Sequence, residues 1–249
     1  MQISKFSANG NDFIIFHTFK KQDRSDLAKK LCNRFEGVGA DGLIVLVPHE
    51  SYDFEWEFYN SDGSSAFMCG NGSRAAAYYA YINNLADKKM SFLTLAGVIE
   101  AEIFDDGVES MLTEPKKLAE EFDEDGFSWS FYDTGVPHLV TFVEDLERFD
   151  KKLCAKMRNK YNANVNFASL KDNKLFVRTF ERGVEDETKA CGTGMAACFL
   201  NQVLQKNIDS IEVYPKSCEK LTLTHKNRRL LLKGEVRKVF DTIYYGELS

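Results

Sequence analysis

The chain has 249 residues, 44% of them hydrophobic, and can therefore bury one large core or two cores of ordinary size. Its 38 acidic and 32 basic residues give a formal net charge of −6 and are spread along the whole sequence. Because a nucleic-acid-binding surface needs clustered Lys and Arg, the composition argues against a nucleic acid as partner. We expect two domains.

Nothing in the sequence predicts a membrane segment or a secretory signal. No window of about 18 consecutive apolar residues occurs, and the N-terminus lacks the apolar stretch of a signal peptide. The six cysteines are too few for a disulfide scaffold in a chain of this length, and they form no C-x-x-C pair. We therefore expect a cytoplasmic protein with free thiols and no membrane partner.

Strands outnumber helices in the predicted order of elements. Short runs of alternating apolar residues predict strands at Asp12–Phe16, Leu43–Val47, Phe54–Tyr59, Leu139–Val143, Leu175–Phe180, Leu221–His225 and Arg229–Lys233. Helical periodicity predicts helices at Ser25–Phe35, Ser73–Leu85, Leu146–Tyr161 and Met195–Lys206. This mixture indicates the α+β class.

The two halves of the sequence contain the same short motifs in the same order. Lys-Lys-Leu-Cys occurs at Lys29–Cys32 and again at Lys151–Cys154, and Cys-Gly-x-Gly occurs at 69–72 and again at 191–194. Both pairs are separated by 122 positions. A shared offset of this kind indicates an internal duplication. The acidic, turn-rich stretch Glu114–Asp125 is the predicted crossover, with the first domain at 1–114.

Each Cys-Gly-x-Gly turn leads into a predicted helix, whose N-terminus has unpaired N–H groups and favours anions. Such a turn can hold a carboxylate and lower the pKa of the cysteine, so that Cys69 and Cys191 are each a usable acid or base near neutral pH. Two thiols from duplicated domains can serve opposite faces of one carbon. The pattern predicts a cofactor-free epimerase of an α-amino acid, whereas Cys32, Cys154 and Cys198 are interpreted as buried structural thiols.

An ordered series of short motifs covers nearly the whole chain. It comprises Gly10-Asn11-Asp12-Phe13, Gly37-Val38-Gly39-Ala40-Asp41-Gly42, Asn60-Ser61-Asp62-Gly63-Ser64, Met68-Cys69-Gly70-Asn71-Gly72-Ser73-Arg74, Pro137-His138, Asn164-Val165-Asn166-Phe167, Glu181-Arg182-Gly183, Glu187-Thr188 and Ala190-Cys191-Gly192-Thr193-Gly194. Together and in this order these motifs resemble those of the diaminopimelate epimerase family. Members of that family interconvert L,L- and meso-diaminopimelate in lysine and peptidoglycan-precursor synthesis.

The resemblance implies an isomerase that uses neither pyridoxal phosphate nor a metal ion, with diaminopimelate as its small-molecule substrate. It makes Cys69 and Cys191 the acid/base pair, with His138 and Glu181 beside the cysteines. The implied substrate-binding residues are Asn11, Asn60, Gly70, Asn71, Asn164, Arg182, Gly192 and Thr193. The oligomeric state is left open, with a homodimer among the alternatives.

The fold implied by the resemblance has two similar domains related by a pseudo-two-fold axis. In each domain an antiparallel sheet or barrel wraps around a central helix. The C-terminal residues 240–249 return to the first domain, so that the second domain spans 115–239.

A proline or hydroxyproline racemase would share this fold and the cysteine pair. The set Asn60, Asn164 and Arg182 argues against that reading, because such a substrate has no second amino-acid end to bind. A thiol redox or metal-binding protein has little support, since the four histidines are scattered and no cysteines lie close together. A non-catalytic interaction protein would leave both Cys-Gly-x-Gly turns unexplained.

The sequence departs from the family pattern near the expected substrate site. Val136 stands where many members have Asn, so one polar contact to the distal carboxylate is expected to be missing. The loop at 184–186 is one residue longer than the pattern predicts. Both differences bear on substrate selectivity more than on proton transfer.

Overall fold

The computed structural model describes residues 1–65 and 67–246, and the chain forms two compact units. The first unit comprises Met1–Ser110 together with the chain from Gly234 onward, and the second comprises Met111–Lys233. The predicted boundaries, after residues 114 and 239, lie a few residues beyond these positions. Residues 247–249 of the predicted first domain lie outside the described residues.

Among the described residues, the first unit has seven strands and two helices before the crossover to the second unit. In chain order its elements are β1 (Gln2–Ala8), β2 (Asn11–His17), α1 (Ser25–Cys32), β3 (Gly42–Val47), β4 (Phe54–Asn60), α2 (Gly70–Ile82), β5 (Lys89–Thr94), β6 (Gly97–Phe104) and β7 (Gly107–Met111). Two pairs in this unit are parallel, β2 with β3 across α1 and β4 with β5 across α2. The pairs β1–β2, β3–β4, β5–β6 and β6–β7 are antiparallel.

The sheet of the first unit is covered on both faces. Successive side chains of a strand point to opposite faces, so Ile14 and Val45 pack in the cluster with α1, whereas Ile15 and Ile44 pack in the cluster with α2. This explains why every residue of β3 is buried. Helix α2 contacts β1, β2, β3 and β6 through an alanine-rich surface, and is the central helix of the unit.

The second unit repeats this plan. Its elements are β8 (Lys116–Glu124), β9 (Phe127–Asp133), β10 (Pro137–Phe142), α3 (Lys151–Tyr161), β11 (Asn164–Lys171), β12 (Lys174–Glu181), β13 (Asp186–Glu187), α4 (Gly192–Lys206), β14 (Ser210–Pro215), β15 (Leu221–Lys226) and β16 (Arg229–Gly234). The last strand of the chain, β17 (Arg237–Ile243), pairs antiparallel with β1 and belongs to the first unit. Helix α4 is the central helix, in contact with β9, β10, β11, β12, β14 and β15.

The order of strand pairings supports the duplication predicted from the sequence. In the second unit β10 and β11 are parallel across α3, β11 and β12 are antiparallel, β12 and β14 are parallel across α4, and β14 and β15 are antiparallel. The first unit has the same order from β2 to β6. The α+β class is confirmed, but the expectation of antiparallel sheets is wrong in part, because each helix is a crossover that returns the chain to a parallel neighbour.

All seven predicted strands are present, but the helix boundaries differ from the prediction. Helix α1 ends at Cys32 instead of Phe35, since Asn33 has an extended backbone and Phe35 is 97% exposed. Helices α2 and α4 begin at Gly70 and Gly192, one turn before their predicted starts. Glycine is a poor helix former, and the sequence pattern alone therefore assigned these first turns to loops.

Two further segments differ from what the sequence pattern indicated. The single helix predicted at Leu146–Tyr161 is a short 3-10 turn at Leu146–Arg148 followed by α3. Asp150 separates them, because its carboxylate caps α3 by accepting the Leu153 N–H at 2.8 Å. The predicted crossover Glu114–Asp125 contains β8, whose acidic residues face solvent while the strand pairs with β9. No helix in the described residues is long and apolar enough to cross a membrane.

Candidate active site

Cys69 occupies the N-cap position of α2 and is half-buried. Its Sγ accepts a hydrogen bond from the backbone N–H of Gly72 at 3.3 Å. The sulfur therefore lies against the first turn of the helix, where unpaired N–H groups and the helix dipole favour negative charge. This is the position that the sequence predicted for an acid/base thiol.

A partly buried polar network holds Asn11 and Asn71, two residues that the sequence predicted to bind substrate. Asn71 donates its Nδ2 hydrogen to Asn11 Oδ1 at 2.7 Å, and Asn11 donates to Asp41 Oδ2 at 2.9 Å. The fully buried Arg74 donates through Nη2 to Asn71 Oδ1 at 2.7 Å and to Asn9 Oδ1 at 2.6 Å. Arg74 and Asp41 thus orient residues that the sequence predicted to bind substrate, although the motifs alone gave neither a role.

Asn60, also predicted to bind substrate, lies at the exposed end of β4. Its Nδ2 donates to Ser64 Oγ at 3.0 Å, and the neighbouring Ser61 N–H donates to Asp41 O at 3.0 Å. Asp41 therefore connects the end of β4 to the Asn11 group. Because its side chain is exposed, Asn60 can bind a polar group of a small molecule.

Cys191 occupies the N-cap position of α4 and is buried. Burial raises the pKa of the Cys191 thiol well above its usual value, and the charge of Glu181 raises it further. The Thr193 hydroxyl, at 3.5 Å from Sγ, and the Gly194 N–H oppose this rise in pKa. The predicted lowering of the Cys191 pKa is therefore not observed, because desolvation outweighs the helix N-terminus.

Glu181 lies at the end of β12 next to Cys191. Its Oε1 accepts a hydrogen bond from Thr188 Oγ1 at 2.5 Å, and strand β13 holds Thr188 there by folding back against β12. Burial raises the pKa of Glu181, whereas its hydrogen bonds with Thr188 and Cys191 lower that pKa. The predicted proximity of Glu181 to a cysteine is thus present within the second unit.

His138, on β10, is completely buried and reaches Cys191 through Thr193. Its Nε2 lies 2.9 Å from Thr193 Oγ1, and its Nδ1 lies 3.1 Å from Nδ2 of Asn166. Burial lowers the pKa of His138 to about 3, and the charge of Arg182 acts in the same direction. The imidazole is therefore neutral at pH 7, and the Thr193 hydroxyl lies between it and the sulfur of Cys191.

Asn164 and Arg182, predicted to select the substrate, are adjacent. Asn164 Oδ1 accepts the backbone N–H of Arg182 at 2.8 Å, and Arg182 Nη1 donates to Asn162 O at 3.1 Å. The guanidinium has further N–H groups, and its planar shape suits a carboxylate. These residues lie at the start of β11 and just beyond the end of β12.

The remaining cysteines fit a structural role. Cys32, Cys154 and Cys198 are buried, and burial raises the pKa of both Cys32 and Cys154 to about 12. Burial also raises the pKa of Cys198. All six cysteines are free thiols, and Cys218 is exposed. The interpretation of Cys32, Cys154 and Cys198 as buried thiols is confirmed.

Asn166 and Thr179 had no role predicted from the sequence, and both side chains approach Gly194 in the first turn of α4. They face each other across β11 and β12, and Thr179 Oγ1 donates to Asn166 Oδ1 at 2.9 Å. The motif Asn164-Val165-Asn166-Phe167 could have indicated a role for Asn166. Side chains alternate along a strand, so Asn166 lies on the same face as Asn164, which was predicted to bind substrate. A polar residue on a buried strand face needs hydrogen-bond partners, and these were not identifiable from spacing alone.

Comparison with known proteins identifies the family. The sequence model of the family described as diaminopimelate epimerase matches residues 3–118 and 130–239. The chain belongs to the diaminopimelate epimerase family. A diaminopimelate epimerase from a species of Nitratiruptor is 61% identical over 248 residues, which cover 99% of each chain.

Two solved structures with low sequence identity to this chain share its fold. A phenazine biosynthesis protein of the PhzF family from Enterococcus faecalis aligns with a TM-score of 0.76 at 14% identity, over 98% of each chain. A probable proline racemase from Agrobacterium radiobacter K84 aligns with a TM-score of 0.75 at 11% identity, over 99% of this chain and 93% of that one. At these identities the likeness shows the fold alone.

Proposed function

We propose that the protein interconverts L,L- and meso-diaminopimelate by a two-cysteine mechanism, in which one of Cys69 and Cys191 removes the α-hydrogen and the other supplies a new proton to the opposite face of the same carbon. The observation that carries this proposal is the same placement of both thiols, each at the N-cap of the central helix in units of matching topology. Membership of the diaminopimelate epimerase family supports the substrate. A racemase of proline type has the fold in common, but its 11% identity supports nothing more specific.

The environments of the two thiols suggest their starting protonation states. Cys191 is the acid at the outset, because burial and the Glu181 carboxylate raise its pKa and keep it a thiol. Cys69 is the base, because it is half-buried and the Gly72 N–H hydrogen-bonds to its sulfur. The proton leaves the α-carbon to one sulfur and a new proton arrives from the other. In the reverse reaction the two cysteines exchange roles.

Abstraction of a weakly acidic α-hydrogen needs donors for the negative charge that develops on the carboxylate oxygens. The backbone N–H groups of Gly70, Asn71, Gly192 and Thr193 occupy the first turns of α2 and α4 and can supply these donors. Asn60, Asn164 and Arg182 would bind the distal amino-acid end of diaminopimelate. Val136 supplies no side-chain hydrogen bond at its position.

Incubation with L,L-diaminopimelate in deuterated water, without pyridoxal phosphate, tests the reaction. We expect meso-diaminopimelate that carries one solvent deuterium at the inverted α-carbon. L-Proline under the same conditions is the comparison substrate, and we expect no D-proline. Inversion of proline with unchanged diaminopimelate would contradict the proposed substrate.

We also propose a cytoplasmic location, because all six cysteines are free and free thiols persist in reducing compartments. Fractionation of the source cells tests this, and recovery in an oxidising compartment would contradict it.

Sedimentation at several protein concentrations measures the oligomeric state and decides whether the protein forms a homodimer.

A further inference from the structure

A continuous row of buried and half-buried polar groups leads away from the sulfur of Cys191 within the second unit. It runs from Cys191 to Thr193, then to His138 on β10, and ends at Asn166 on β11. Asn166 and His138 are completely buried. The direction of each hydrogen bond in this row follows from the elements that surround Asn166.

The carbonyl of Leu139 fixes the orientation of the Asn166 amide. One atom of that amide lies 2.8 Å from Leu139 O and also faces His138. Since a carbonyl oxygen can only accept, this atom must be the NH₂ nitrogen, and a flipped amide would bring two oxygens together. Thr179 satisfies the other end of the amide by donating to Oδ1 at 2.9 Å.

The orientation of Asn166 in turn fixes the tautomer of His138. An NH₂ group can only donate, so Nδ1 of His138, at 3.1 Å from Asn166 Nδ2, must carry its lone pair. A neutral imidazole then has its proton on Nε2, which donates to Thr193 Oγ1 at 2.9 Å. Because Thr193 Oγ1 accepts that bond, its own hydrogen is available for Cys191 Sγ at 3.5 Å.

The packing around the row leaves little freedom for another arrangement. A Cβ at Gly194 would lie only 2.4 Å from Asn166 Oδ1, so the close approach of β11 to α4 requires glycine there. Thr134 Oγ1 donates to Thr193 O at 2.8 Å and holds the first turn of α4. The charged groups that act on the row are Glu181, on the Cys191 side, and Arg182, on the His138 side.

We propose that Asn166 is a positioning residue for epimerisation: it holds His138 as the neutral Nε2–H tautomer, which makes the Thr193 hydroxyl donate to the Cys191 thiolate. This inference rests on the proposed role of Cys191. When the Cys191 thiol gives its proton to the α-carbon, the sulfur becomes an anion in a buried site beside the Glu181 carboxylate. The Thr193 hydroxyl then stabilises that anion, while the proton on His138 stays on Nε2.

Nuclear magnetic resonance of protein labelled with ¹⁵N at histidine tests the tautomer directly. We expect His138 to show an unprotonated Nδ1 and a protonated Nε2, and its signals are assigned among the four histidines by their loss in His138→Gln. Asn166→Asp keeps the size of the side chain but offers only acceptors, so it should move the proton to Nδ1. Wild-type His138 with its proton on Nδ1 would overturn the proposal.

Asn201 offers a matched control in the same unit. It is a buried amide on α4 whose Nδ2 donates to Ser130 Oγ at 2.9 Å and lies 3.3 Å from Tyr132 OH. Asn201→Asp therefore makes the same chemical change in a buried site outside the row. We expect this variant to keep the wild-type tautomer of His138, so that a change confined to Asn166→Asp separates positioning from general loss of packing.

The pH dependence of Cys191 alkylation by iodoacetamide, followed by peptide mapping, tests the effect on the sulfur. Thr193→Val should move the midpoint upward by about one pH unit or more, since a hydrogen bond to a charged group is lost. Thr193→Ser should restore the wild-type midpoint. Asn166→Asp should also raise it, because Thr193 would then donate to His138 Nε2, whereas Asn201→Asp should leave it unchanged.

These experiments distinguish a failure of the positioning role of Asn166 from a failure of the proposed two-cysteine reaction. Wild-type midpoints in both Thr193→Val and Asn166→Asp would overturn the positioning role, whatever the enzyme's activity. Wild-type epimerisation by Cys191→Ser would contradict the two-cysteine mechanism, whereas the histidine spectra and the alkylation midpoints would still report on the row itself.

Discussion

The N-termini of α2 and α4 occupy equivalent places in two units of the same topology, yet their cysteines have different surroundings. Behind Cys191 the groups are polar, because Asn166 contacts Gly194 and Glu181 adjoins the sulfur. Behind Cys69 the equivalent contact is apolar, since a Cβ at Gly72 would lie 3.4 Å from Ile44 Cδ1. Ile44 and Asn166 are separated by the same 122 positions as the two cysteines.

The polar groups of the first unit lie beside the helix instead. Arg74, Asn71 and Asn9 form a buried network around the first turn of α2, whereas Ala196 and Thr193 stand at the positions of Arg74 and Asn71 in α4. The duplication therefore kept the turn and the helix but changed what surrounds each sulfur. Inversion of a stereocentre needs one acid and one base at the outset, and unequal surroundings provide that difference.

The largest expected effect follows from replacing either sulfur. Cys69→Ser and Cys191→Ser should each lower the rate of epimerisation by roughly three orders of magnitude or more, since a serine hydroxyl is a far weaker acid than a thiol and its alkoxide is hardly populated near neutral pH. Circular dichroism should show that both variants keep the fold. The control is Cys218→Ser, at an exposed cysteine, which should keep wild-type activity. Full activity in either of the first two variants would show that one thiol is sufficient.

A smaller effect should distinguish the two glycines that follow the cysteines. Gly194→Ala places a Cβ 2.4 Å from Asn166 Oδ1, so we expect a loss of about 1–3 kcal/mol in the free energy of unfolding. Gly72→Ala meets its nearest atom, Cys69 Cβ, at 3.3 Å, and the better helix propensity of alanine partly offsets that contact. Denaturant unfolding measures both variants, and equal losses would contradict the difference in packing.

The repeated plan of this fold could be predicted because the sequence patterns that indicate it are short and easily recognised. Alternating apolar residues located the strands, and a motif repeated at a fixed offset located the two helix starts. The parallel pairings were not predicted, since pairing depends on which strand the chain meets after each helix. Strand β8 was also missed, because its outward-facing acidic residues resemble those of a loop and its pairing with β9 is a tertiary property.

The sequence was sufficient to choose candidate site residues, but it was not sufficient to predict how the protein shifts their pKa values. Cys69, Cys191, His138 and Glu181 could be chosen from motifs. The direction of the Cys191 pKa could not, because the helix N-terminus is visible in sequence whereas burial of the sulfur is not. The role of Asn166 depends on a carbonyl of the neighbouring strand, so it too required the three-dimensional structure.

A further expected effect concerns the pH dependence of stability, and it again separates the two units. In the first unit Phe13 pairs with the first residue of β3, and in the second unit His138 pairs with the first residue of β11. Burial lowers the pKa of His138 to about 3, from 6.5 for an ordinary histidine. Between these values the unfolded chain binds a proton that the folded protein does not, so stability is lost as the pH falls below about 6.5.

His138→Gln isolates this contribution, because glutamine can accept from Asn166 and donate to Thr193 without titrating. We expect the unfolding free energies of wild type and variant to differ by a constant amount above pH 7. Below about pH 6.5 the wild type should lose roughly 1.4 kcal/mol more than the variant for each pH unit, down to about pH 3. Urea unfolding at several pH values measures both proteins, and parallel curves down to pH 4 would show that His138 can be protonated in the folded state.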